Sequence, residues 1–524
     1  MMSSTSSSGD SSRSSSDESR LGILSEKHEF DSNETASGTS NWLKPRNPRH
    51  ICNLGLCFSP RHLGRLLAQL ASLLVPSFLH RRSQNEPGKN EKLPPTAFLD
   101  GMRGLAAFAV FICHLTYGTF DIVHAWGATP DPETKPPTAY REFIRLPVIR
   151  LIYSGPPMVA IFFVISGYAL SYKPVKQMRS RQHDQLMTTM TSSIFRRGLR
   201  LFLPCFASTF IVISLAQLNL YKLTEDFSNQ MRMVLESHCY TQPNMWLQFT
   251  DWLVQMLIFV DVFNWSLIAG SIELDRHLWT IPVEFRCSMA LFLTHMLTAR
   301  MPSRLRIMTF AGLIIWAVSW DRWELTPFWA GAVVAELDII WTSKTPSELP
   351  STLADSQPQP RQRSCRILYW PAFLVSLFLL SFPDIAANVT PGFVTLDSLI
   401  PQSFTEKHRF WPMVGAVLIV WSSCRLGVLR NRAFCWTPVQ YLGKISFPLY
   451  VMHGPVIHTL GYLILPRTPE VETPETMRQF QWDFAKAAIV IILAVVWAAD
   501  VFLRAVDTPC VILARRLEKA FFNE

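Results

Sequence analysis

FLDGMRGLAAFAVFICHLTYGTF, residues Phe98 to Phe120, decides the fold. The stretch is apolar and long enough to begin a membrane helix, yet it carries Arg103 near one end and His114 well inside. Eleven residues at ~1.5 Å rise set the two side chains roughly 16 Å apart along a helix axis. That spacing sets the guanidinium near a membrane face and the imidazole near mid-bilayer. A charged side chain at the helix centre costs on the order of 3 kcal/mol, so ionisable groups there normally face a polar interior and have a task.

The rest of the chain repeats the pattern. Of 524 residues, 49% are hydrophobic and 17% charged, and the mean hydropathy is positive. A soluble chain of this length would carry more charge and divide into several domains. Apolar blocks of spanning length, 17 Trp and 36 Pro point instead to an all-α, polytopic membrane protein. The net charge of +9 does not indicate nucleic acid, because Lys and Arg collect at the ends of apolar blocks. There is no CxxC and no His/Cys run with metal spacing, so neither a metal site nor a disulfide framework is expected. The polar, serine-rich start is unlike a cleavable signal peptide.

Residues 1–50 read as a disordered tail. Residues 51–94 read as a linker whose apolar part, 63–80, lies on the membrane surface rather than crossing it. Ten spans come next, at about 104–123, 150–172, 199–219, 278–298, 304–320, 326–342, 367–382, 411–429, 444–465 and 484–504. They would surround a central polar cavity. Basic residues such as Lys173, Arg196, Arg200, Arg304, Arg363 and Arg430 fall in alternate loops, which places both termini in the cytoplasm. WLVQMLIFVDVFNWSLIAG, 252–270, is read as an interfacial or re-entrant piece near the opposite entrance.

Four stretches send polar groups where hydrocarbon is expected. They hold Arg103 and His114; Arg197 and Arg200, three apart on one helix face; Glu284 beyond Pro282; and His453 one turn from Tyr450. Each has a structural reading: the arginines as membrane-face anchors, Glu284 as a headgroup-level residue, His453 as a packed hydrogen-bond donor. Together they suit a reaction. Arginines at one face can grip phosphate. A deeper imidazole can take a proton from a hydroxyl, with a carboxylate supporting the imidazolium. A phosphate-bearing donor with a long reach is what acyl-coenzyme A is.

On these residues the chain resembles the membrane-bound acyltransferase-3 family. LDGMRGLAAFAVFICH resembles its first-span signature, IFFVISGYAL its FFxxSGF segment, and RRGLRLFLP its Arg-x-x-Arg opening. LWTIPVEF resembles its LWxLSVE element, LGKISFPLYVMHGPV its late LGxxSYxLYLxH element, and VDTPCVILARRLE its terminal ExP segment. The resemblance runs over 95–518, leaving 519–524 as a tail. IPVE in place of SVE, Asp507 in place of Glu and Tyr168 in place of Phe are departures.

The resemblance implies an O-acyltransferase using acyl-CoA, often acetyl-CoA, without a metal. The acceptor would be a hydroxyl of a small natural product such as a terpenoid or polyketide. His114 would be the general base and Glu284 its orienting carboxylate, with Arg103, Arg197 and Arg200 binding the donor. Tyr450, His453 and Ser166 would line the cavity, Ser166 also as a candidate acyl carrier. A polysaccharide or lipid acceptor is the alternative within this chemistry, and a transporter of acylated small molecules the alternative outside it. The endoplasmic reticulum is the expected membrane.

Overall fold

The computed structural model describes residues 71–79, 93–128, 140–221, 239–264, 271–344, 360–469, 471 and 473–522. The serine-rich stretch 1–50 lies outside the described residues. The chain that is described is mainly helical, with no strand among its residues. Twelve helices of 15 or more residues run in order: α1 Ala97–Thr116, α2 Gly155–Arg179, α3 His183–Gln217, α4 Met245–Phe259, α5 Thr280–Thr298, α6 Ser303–Ser319, α7 Leu325–Lys344, α8 Pro360–Leu380, α9 Lys407–Arg425, α10 Thr437–Val456, α11 Pro474–Phe502 and α12 Thr508–Phe522.

Each of the ten expected segments overlaps a helix. By length and composition, four runs can cross a membrane: α1, α2, α3 and the run Pro474–Phe522 that contains α11 and α12. Many large apolar side chains point outward, among them Leu293 at 69% exposure, Met308 at 68% and Leu493 at 66%. Such a surface is unfavourable in water and ordinary against lipid.

Several boundaries differ from the sequence reading; α1, for one, runs from Ala97 to Thr116 rather than from about 104 to 123. α3 begins at His183, sixteen residues before the expected 199: the run HDQLMTTMTSS is too polar to read as a span, yet as a helix it buries Leu186 and Met190 against Met178 and Phe292. At the other end α12 continues through Phe522, and Glu518 pairs with Arg196 at 3.2 Å while Phe521 and Phe522 pack on Phe195. Of the apolar stretch 252–270, residues up to Phe259 belong to α4, whose Trp252 donates a hydrogen bond to Thr209 of α3 at 3.0 Å.

Two packing features set the geometry of the polar groups. α1 and α10 touch backbone to backbone: a Cβ on Gly104 would collide with Gly443, so glycine at both positions lets the helices cross in contact. Residues 71–79 are tied to α11. Ser77 bonds the buried Asp500 through its amide at 2.8 Å and its hydroxyl at 2.5 Å, and Trp497 donates to the Leu74 carbonyl at 2.8 Å. α11 then widens into a π turn, Leu503–Asp507, before α12.

Candidate active site

α1 carries both ends of the site. Near its start, Arg103 donates to the Ser446 hydroxyl at 2.9 Å and to the Gly443 carbonyl at 3.2 Å, and pairs with Asp100 at 3.1 Å. The α1–α10 glycine contact makes these bonds short enough to form. The side chain nonetheless keeps 41% of its surface exposed. Arg200, on α3, lies in the same field, and Asp507 acts electrostatically on both arginines. The terminal segment thus returns a carboxylate to the arginine group, at the position where Asp stands in place of the family's Glu.

Arg197 is committed elsewhere. It reaches Glu284 Oε1 at 2.7 Å and Ser288 at 3.1 Å, and Ser166 donates to the same Glu284 oxygen at 2.9 Å. Glu284 therefore joins α2, α3 and α5 through an arginine and a serine, and its hydrogen bonds do not go to His114. The expected pairing of Glu284 with His114 is not what the geometry shows. A permanent guanidinium within reach is a stronger partner for a carboxylate than a neutral imidazole.

His114 sits instead in a group of three imidazoles. Its ring centroid is 3.9 Å from that of His277, edge to face, and 5.2 Å from that of His453; His277 and His453 are 4.7 Å apart. One nitrogen from each lies within 4.8 Å of the others. His453 is fully buried and its Nδ1 is 3.3 Å from the Leu449 carbonyl. His277 Nδ1 is 2.9 Å from Asp275 Oδ1, and the same oxygen accepts from the His277 amide at 3.2 Å. Tyr450 shares a 2.6 Å hydrogen bond with Thr280 and donates to the His277 carbonyl. Gly454 completes the fit: a Cβ there would stand 2.9 Å from His277 Nδ1 and 3.1 Å from Asp275 Oδ2.

Three nitrogens this close raise the question of a metal ion. Imidazole nitrogens about 2.0–2.1 Å from a tetrahedral zinc hold their ring centroids roughly 5 Å apart. His114 and His277 are closer than that, in direct ring contact, so a cation would require one ring to move.

Of the residues expected from sequence, the structure brings together His114, His453 and Tyr450, and separately Arg197, Glu284 and Ser166. Arg103 and Arg200 both feel the charge of Asp507. His277 and Asp275 were not expected. They stand in the polar turn before α5, outside any apolar block, so membrane depth gave no reason to single them out. The one local signal was Asp-x-His, a spacing at which a carboxylate can reach the imidazole.

A family profile described as an acyltransferase domain matches residues 96–504. The chain belongs to the acyltransferase-3 family. It is 32% identical over 467 residues to the O-acetyltransferase PaAT-1 of Phomopsis amygdali, covering 86% of this chain and 88% of that one. Acyltransferase R4 of a Phoma species is 27% identical over 79% of this chain and 94% of its own. Acyltransferase clz18 of Cochliobolus lunatus is 27% identical over 81% and 96%. No solved structure matches. The protein is a membrane acyltransferase, and its arginine and histidine groups lie inside the matched region.

Proposed function

We propose that this acyltransferase moves an acyl group, acetyl first among them, from acyl-CoA to a hydroxyl of a small natural product of terpenoid or polyketide type. The ten expected spans would enclose the reaction in a polar cavity within the endoplasmic reticulum membrane, with both termini cytoplasmic. The observation that carries the reading is the convergence of His114 with two other imidazoles on a helix whose opposite end holds Arg103. The resemblance to an O-acetyltransferase over most of both chains supports the same reaction class.

In this mechanism Arg103 and Arg200 grip the donor's phosphates, and the pantetheine arm runs along α1 toward the imidazoles. His114 takes the proton from the acceptor hydroxyl as its oxygen attacks the thioester carbonyl. The tetrahedral intermediate collapses with cleavage of the C–S bond, and the proton passes to the departing sulfur. Acceptor and thioester become ester and free coenzyme A, with no acyl-enzyme required. Ser166 is bonded to Glu284 and serves to hold that carboxylate in place.

The test is coenzyme A release in membranes supplied with acetyl-CoA and candidate alcohols. His114→Ala, at equal protein abundance, is expected to lose activity by about 10²–10⁴-fold, the usual share of a general base. Near wild-type release from this variant would end the reading, and acceptor movement without coenzyme A release would mark a transporter.

A further inference from the structure

We propose that His277, held by Asp275, shares the proton that His114 removes, so that the base of this enzyme is an imidazole pair backed by Asp275. The proposal rests on His114 as the base and adds residues that the resemblance did not single out.

Charge balance around the two nearby carboxylates points this way. Glu284 has Arg197 at 2.7 Å and needs no further cation. Asp275 is 5% exposed, and among the described residues its only ion-pair partner is His277. Its second oxygen, Oδ2, is buried without a hydrogen-bond partner among the described residues. A carboxylate in that state is best compensated when positive charge develops on His277. Such charge appears during the reaction, when the acceptor proton reaches an imidazole in ring contact with His277.

The surrounding structure restrains His277 rather than leaving it free to rotate. Asp275 holds Nδ1, and with the proton there the tautomer leaves Nε2 as the acceptor. Tyr450 holds the backbone carbonyl, and Gly454 leaves the space that the Asp275–His277 pair occupies. The proton balance is closed: it leaves the acceptor oxygen, is held between His114 and His277 opposite Asp275, and returns to the thiolate sulfur as the C–S bond breaks. No oxidant, metal or further reactant enters.

The experiment is a double-mutant cycle on the full-length protein in membranes, reading kcat and the KM for acetyl-CoA separately. Asp275→Asn is expected to lower kcat by about 10–100-fold while leaving that KM within about twofold, because the donor grip is at the arginines. In His114→Ala protein, adding Asp275→Asn is expected to cost little more, since groups acting as one unit are non-additive. Asp275→Glu, which keeps the charge, is expected to recover part of kcat. If Asp275→Asn does not accumulate, Gly454→Ala tests the same pair by crowding it, with a smaller fall confined to kcat. Multiplicative losses in the double variant, or a normal kcat for Asp275→Asn, would overturn the proposal. So would one equivalent of transition metal in purified protein that Asp275→Asn fails to retain. Activity surviving in His114→Ala alone would instead remove the base assignment beneath it.

Discussion

Glu284 lies in the first turns of α5 and Asp275 nine residues earlier, in the turn that leads into it, and their surroundings are opposite. Glu284 meets a guanidinium and a serine hydroxyl, and so bridges three helices with its charge matched at all times. Asp275 meets an imidazole whose charge is conditional. A carboxylate with a permanent partner is scaffold; one with a conditional partner suits chemistry in which charge comes and goes. Arg306 and Glu336 are a second example of the first kind, a two-point pair at 2.8 Å with both side chains almost fully buried. The same residue types serve both purposes, and only the partner separates them.

The contrast breaks most readily at its scaffold side. Glu284→Gln leaves Arg197 charged and largely enclosed without its counter-ion, and is expected to cost about 2–3 kcal/mol, discounted from a fully buried pair for partial exposure. The check is thermal unfolding of detergent-solubilised protein, with Arg197→Met added to recover most of the loss. Unchanged stability in the single variant would show that Glu284 is not a structural carboxylate. Next in size, Arg103→Ala is expected to raise the KM for acyl-CoA about 10–100-fold with little change in kcat, the loss of one or two charge-assisted bonds. A fall in kcat alone would move Arg103 out of the donor site.

A second conditional carboxylate lies outside the helices. Burial works against ionisation of Asp121, but its bond to His124 at 2.9 Å and the nearby Arg145 outweigh it and hold the carboxyl at about 2. Its folded value is depressed, so its contribution is present above pH ~4 and lost as pH falls toward 2. It amounts to on the order of 2 kcal/mol. Unfolding temperature followed from pH 6 to pH 3 should fall less steeply in Asp121→Asn; equal slopes would show that the pair does not stabilise the fold. Smallest is Asp507→Asn. Removing the charge that offsets Arg103 and Arg200 is expected to lower the KM for acyl-CoA a few-fold and steepen its salt dependence. A raised KM would mean that Asp507 positions the arginines instead of competing with phosphate.

Much of the helical layout was readable because hydrocarbon imposes a simple rule: apolar runs of spanning length become helices. Where that rule stops applying, sequence and structure part. The polar first part of α3 is held by only two buried side chains, Leu186 and Met190, packed on Met178 and Phe292, and α12 continues past the end of the recognisable motif. Arg103, His114 and His453 stood out because a titratable side chain in an apolar run is costly. His277 and Asp275 carried no such contrast, being polar residues in a polar turn.

The order of apolar blocks, and their interruption by Arg103, His114, Glu284 and His453, set this protein's membrane class by themselves, since burying charge in lipid requires a reason that survives any packing; the reaction type came from the family motifs in which those residues fall. Which carboxylate met which partner was decided only when the chain folded. His114, His277 and His453 are separated by well over a hundred residues at each step, and contacts across such distances depend on helix crossings such as that of Gly104 with Gly443. Pairing is a property of the assembled helices.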